Sequence, residues 1–97
     1  MSKLIKGNPW VWVVVIDPGG NEQFLGQHDK EKDVSFIPTF LEKEEALQGL
    51  KHLASEEGHK YEVQAIRYEE LARDSAENGF MLFILSGAGK VLEKIRP

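Results

Sequence analysis

Apolar and polar positions divide this chain into short runs, and one run dominates. Trp10-Val-Trp-Val-Val-Val-Ile16 is seven consecutive apolar residues, and it stops sharply at Asp17-Pro18-Gly19-Gly20. Five of the seven are Val or Ile, whose branched β-carbons are stiff at χ1 and suit a pleated strand. The run is far below the ~20 residues of a membrane-spanning helix. Its lack of polar alternation predicts a strand covered on both faces, near the middle of a sheet.

The other runs are read the same way. Residues 1–8 form a loose N-terminal segment, and Gly7-Asn8-Pro9 breaks the chain before the first strand at 10–16. Asp17 to Asn21 is a turn with glycines available for positive φ, and Gln23-Phe-Leu25 folds back as a short hairpin partner. Gly26 to Asp33 is polar and charge-rich, which predicts a solvated loop. Val34 to Phe40 is a third strand with Val34, Phe36 and Phe40 on one face. Pro38 has no N–H to give, which places it at an edge, a bulge or the strand's end.

Thr39 and Glu42 have capping-box spacing, so a helix is expected to start near 39–42. Ala46, Leu47, Leu50, Leu53 and Ala54 make one apolar stripe, Glu42, Glu44 and Glu45 favour its N-terminal end, and Gly58 is the expected stop. His59 to Ala65 alternates, with Tyr61, Val63 and Ala65 facing one way as a half-buried strand. Tyr68 to Asn78 reads as a shorter helix, with Leu71, Ala72 and Ala76 as its inward positions and Gly79 closing it. Phe80 to Leu85 is a second continuous apolar strand, Ser86 to Gly89 a turn, and Lys90 to Ile95 the returning strand.

The resulting order is ββ-β-α-β-α-ββ, an α+β class with a mixed sheet and two helices packed on it. The two helical crossovers predict that the strands near 34–40, 59–66 and 80–85 run parallel. At 97 residues the chain is expected to be one domain.

Composition narrows the function classes. Sixteen acids against twelve bases give a net charge of −4, which argues against nucleic-acid binding and against anionic membrane surfaces. The absence of cysteine excludes disulfides, thiolate nucleophiles and cysteine-based zinc sites. Met1 to Lys6 lacks the apolar stretch of a signal peptide, and a cytoplasmic location is expected.

Three segments together resemble a known pattern: Ile37-Pro-Thr-Phe-Leu-Glu-Lys-Glu-Glu-Ala-Leu47, Val63-Gln-Ala-Ile-Arg-Tyr-Glu-Glu-Leu-Ala72 and Glu77-Asn-Gly-Phe-Met-Leu-Phe-Ile84. Over about residues 34–95 the chain resembles the N-terminal domain of SseB-like proteins, the enhanced serine sensitivity family, or a related small domain of unknown function. It departs from that pattern at Leu41-Glu42, where the family has a Thr-Ser-type cap, and at Leu85-Ser86-Gly87, where it has an Asn-Pro turn. The resemblance implies a non-catalytic accessory or binding domain and carries over no catalytic residue.

Candidate chemistry is sparse. Ser86-Gly-Ala-Gly-Lys90 lacks the glycine spacing and the Ser/Thr of a phosphate loop and reads as a hairpin turn. His52 and Glu56 have i, i+4 spacing on the expected helix, but no third metal ligand is evident. The carboxylates lie outside the apolar runs, and no serine sits in a nucleophile elbow. No catalytic residue, metal site or cofactor is therefore assigned.

Trp10, Trp12, Val14 and Ile16 share one side of the first strand. Two readings stand for the tryptophans: they fill or cap the monomer core, or with Val14 they form an interface core. The expected function is a non-catalytic, self-associating domain that binds another protein. The alternative is a small-ligand-binding or regulatory domain with a pocket beside the 26–35 loop, lined by His28 and Trp10.

Overall fold

The computed structural model describes residues 2–53 and 56–97. Among these residues, seven strands and two helices follow in the order β1 Trp10–Ile16, β2 Gln23–Phe24, β3 Gln27–Asp29, β4 Val34–Thr39, α1 Lys43–Gly49, β5 Tyr61–Arg67, α2 Tyr68–Glu77, β6 Met81–Leu85 and β7 Val91–Ile95. A three-residue 3₁₀ turn, Leu50–His52, extends α1. The α+β class is as the patterning predicts. No helix among the described residues is long and apolar enough to cross a membrane.

The strands form two sheets, β2-β1-β5 and β3-β4-β6-β7. One bridge joins them. Trp12 and Phe40 exchange two backbone hydrogen bonds, each 2.8 Å. Even-numbered residues of β1 turn their polar groups to this side, since Val14 O accepts from Leu25 N at 2.8 Å. One edge of β1 is thus shared between β2 and the end of β4, while its other edge pairs with β5 over all seven residues. This is the central position that the unbroken apolar run called for.

The three strands β4, β5 and β6 run in the same direction, as expected, but they are not all neighbours. Among the described residues only β4 and β6 are paired in parallel. Because β1 is antiparallel to both β5 and β4, β5 does run in the same direction as β4, but β1 is inserted between them. Hydrophobic alternation sets which face a strand buries, not which strand lies beside it.

The two faces of this joined layer hold separate cores. Val11, Val13, Val15, Ile37, Leu82 and Ile84 pack with Leu71 of α2 on one face. Phe40, Phe83 and Leu85 pack with Ala46 of α1, and with Trp12 and Val63, on the other. Phe36 stacks on Phe83 with ring centroids 3.9 Å apart.

Of the three places expected for Pro38 the strand's end holds: it is the penultimate residue of β4, which is not an edge strand and has no bulge there. It is fully buried in β4, between β3 and β6. The pairing of β3 ends opposite Phe36, and the Trp12 bridge is made by Phe40. Pro38 occupies the gap between them, where its missing donor would have met no partner.

Four further expectations change. The polar 26–33 stretch is a hairpin rather than a free loop: Gln27–Asp29 pairs with β4, and the Asp29 carboxylate accepts the Glu31 and Lys32 amides in the turn. The first helix starts at Lys43 after Glu42, with no side-chain cap. Thr39 is buried in β4, and its hydroxyl donates to Ile37 O at 3.1 Å. That helix also ends early. Leu47 is exposed, Leu53 is extended, and Gly58 closes a later turn at positive φ, while Ala54 lies outside the described residues. In β5, Ala65 is exposed, whereas Ile66 packs on the first core and Val63 on the second, so both of its faces are half-covered.

The N-terminal segment is tied down. Ile5 is buried, and the Glu93 carboxylate accepts from the Ser2 hydroxyl and from the Lys3 and Leu4 amides at 2.8–3.0 Å. Helix α2 has no cap of its own. The Asn8 side chain accepts the Glu69 amide at 2.9 Å, and Pro9 O accepts that of Tyr68 at 2.9 Å. A segment remote in sequence thus supplies what a local N-cap would.

Candidate functional site

Two cavities flank the β2 segment, and Gln23 borders both. The larger, about 640 Å³, lies between the 17–21 turn, β3 and the 56–61 segment. Its walls carry His28, His59, Asp17, Glu56 and Tyr61. Trp10 is not among its liners. Ile16 and Asp17 are, and Trp10 lies at the opposite end of β1, roughly 20 Å away at the strand rise of ~3.3 Å per residue.

The Asp17 carboxylate organises this end of the molecule. It lies 2.7 Å from His59 Nδ1 and accepts the Lys60 amide at 3.1 Å, while Asp17 N donates to Lys60 O at 2.8 Å. These bonds hold Asp17 in the left-handed region at φ 53°. The hydrogen bond to His59, aided by the Lys60 amide, holds the Asp17 carboxyl below the usual range; the same bond raises the His59 imidazole above its usual value. A His–Asp pair of this kind can orient a general base. The described liners of this cavity include no serine or threonine to act as its nucleophile.

His28 is also paired, with Nε2 3.1 Å from Asp33 and Nδ1 3.2 Å from Ser35 Oγ. His52 sits in the 3₁₀ turn and Glu56 beyond the end of the helix, so they do not share one helix face. No group of three or more His, Asp or Glu among the described residues is placed to hold a metal. The Ser86–Lys90 segment is the β6–β7 hairpin turn, closed by Gly89 N to Ser86 O at 2.9 Å.

The smaller cavity, about 440 Å³, lies beside α2. Val15, Phe24, Ile37 and Phe80 form its apolar floor, and Glu22, Asp74, Asn78, Gln23 and Gln64 its polar rim. Ser75 belongs to the wall. It is only 3% exposed, and its hydroxyl has no hydrogen-bond partner among the described residues. A buried hydroxyl without a partner costs on the order of 1–3 kcal/mol. Ser75 Oγ is the one buried side-chain polar atom without a partner among the described residues.

Sequence reasoning did not select Ser75. The signal was present: Tyr68, Leu71, Ala72 and Ser75 fall at i, i+3, i+4 and i+7, the inward stripe of α2. Ala76, expected inward, is exposed. A serine on an apolar stripe suggests either a satisfied core hydroxyl or a site, and only the neighbours decide which.

The tryptophan pair is divided by the fold. Trp10 is 55% exposed, with the Arg67 guanidinium 4.5 Å from its ring centroid. Trp12 is half-buried against the second core, with Lys43 Nζ 5.7 Å from its ring. Val14 is 2% exposed and belongs to the interior, so it has no surface to give to an interface.

Comparison with protein families, with curated proteins and with solved structures finds no match to this chain.

Proposed function

We propose that this chain is a non-catalytic small-ligand-binding domain whose site is the cavity between β1, β2 and α2. The observation that carries the proposal is the buried, unpartnered Ser75 hydroxyl in the wall of a cavity with an apolar floor and a polar rim. At about 440 Å³ the cavity falls in the size range of small-molecule sites. Its walls come from both sheets and from α2, so the scaffold fixes their spacing. A small-fragment panel followed by amide chemical shifts tests the reading. Shifts should cluster on Phe24, Ser75 and Phe80, and a panel that leaves these amides unmoved counts against it.

A second reading, self-association, is favoured by Trp10. An exposed tryptophan stacked with an arginine presents two of the three residue types enriched at interface hot spots. The occupant would be a second copy of the chain. Trp10→Lys should then shift a concentration-dependent dimer to monomer in sedimentation velocity. Trp12 and Val14 are unsuitable for this test because changing them disturbs the interior. A wild type that sediments as a monomer at every concentration removes the reading.

A further inference from the structure

The geometry points to a small organic cation, an ammonium group on a compact apolar body, as the ligand of the smaller cavity. This rests on the ligand-binding reading above and adds the chemical class. Both charged liners, Glu22 and Asp74, are carboxylates, and no lysine, arginine or histidine is among the described residues that border the cavity.

The hydrogen-bonding state of the rim points the same way. Asn78 Nδ2 already donates to Asp74 O at 2.8 Å, and Gln64 Nε2 to Glu62 at 3.0 Å. Their amide oxygens are left as acceptors. Glu22 Oε1 accepts the Gly19 amide at 2.7 Å, which leaves its second oxygen open. The Asp74 carboxylate makes no hydrogen bond or ion pair with another described residue. The rim is therefore rich in acceptors and has spent much of its donor capacity, and an ammonium brings three donors.

The floor fits the other end of such a molecule. Val15 and Ile37 are each 3% exposed, and Phe24 and Phe80 add aromatic surface that attracts cations as well as apolar groups. Rotation about χ1 moves the Ser75 hydroxyl among staggered wells. A ligand in the cavity then satisfies an atom that the described residues leave unpaired.

The test uses the full chain and three probes of similar shape: 2-phenylethylamine, 2-phenylethanol and phenylacetate. Binding is read from the amide shifts of Phe24, Ser75 and Phe80. The amine should bind at least about tenfold more tightly than the alcohol, and the carboxylate should not bind. Asp74→Asn should weaken the amine by about tenfold and leave the alcohol unchanged, since a charge-assisted bond is lost at an exposed helix position. An alcohol or carboxylate that binds as well as the amine overturns the cation assignment and leaves the cavity as a site for another class. If none of the three moves these amides, the assignment and the ligand-binding reading fall together.

Discussion

The ring of Phe40 lies against Gly49, so close that a β-carbon at Gly49 would come within 2.3 Å of it. Phe40 also carries the backbone bridge to Trp12, so this contact sits where the two sheets and α1 meet.

Gly49→Ala should therefore destabilise the protein. Helix propensity alone favours alanine over glycine by about 1 kcal/mol. The fully buried Phe40 ring cannot give way, and overpacking of this kind costs about 1–3 kcal/mol. A lower urea midpoint with an unchanged slope is expected. Adding Phe40→Leu should make the double variant less unstable than the sum of the two single changes.

The Asp17–His59 pair gives a pH dependence of known sign. The His59 pKa is raised, so its contribution is complete below the ordinary value of 6.5 and is lost as pH rises through the folded value. The Asp17 pKa is lowered, so its contribution is present above 3.8 and fades as pH falls through the folded value. The pair should stabilise most between about pH 4 and 6.5. Asp17→Asn keeps a residue that tolerates positive φ and should flatten the melting temperature against pH across neutrality. A wild-type profile parallel to that of the variant would count against the pair.

Glu93 governs the N-terminal segment. Partial burial works against its charge, yet the Lys3 and Leu4 amides and the Ser2 hydroxyl hold its carboxyl below the ordinary range. Glu93→Gln should speed hydrogen exchange at Lys3 and Leu4 and open Lys3 and Lys6 to trypsin while the rest of the fold survives. In the wild type the same loosening should follow acidification, because a lowered carboxyl pKa loses its contribution as pH falls through it.

Ser75→Ala should stabilise the chain by about 1 kcal/mol, since it removes a buried unpartnered hydroxyl and adds a better helix former. A raised urea midpoint is expected. A clear loss of stability would mean that the hydroxyl has a partner in solution.

Much of the element pattern was legible in the sequence because it is local. Branched apolar residues without alternation marked β1, the Asp17–Asn21 chemistry marked its hairpin, and the apolar run at Phe80–Leu85 followed by Ser86–Gly89 marked β6 and the turn to β7. The α2 stripe is visible as well, with Ser75 as its fourth position. Each of these depends on residues within a few positions of one another, which is the range over which side-chain period and turn geometry act.

What only the tertiary structure decided is long-range. Sequence period fixed that β1 would be buried on both faces, but not that it would lie between β5 and β4. Pro38 is tolerated because a gap between two neighbouring partners removes the need for its N–H. Helix α1 stops short of Gly58, and Leu47 faces outward, although the apolar stripe continued past it. The cap of α2 comes from Asn8, and the tether of Ser2–Leu4 from Glu93. The candidate site belongs to this second group, because its floor, rim and unpartnered hydroxyl come from β1, β2, β4, β5 and α2 together. Composition, charge and periodicity describe what each segment can bury. A cavity is set by how separate segments fail to fill the space between them, and no segment carries that information alone.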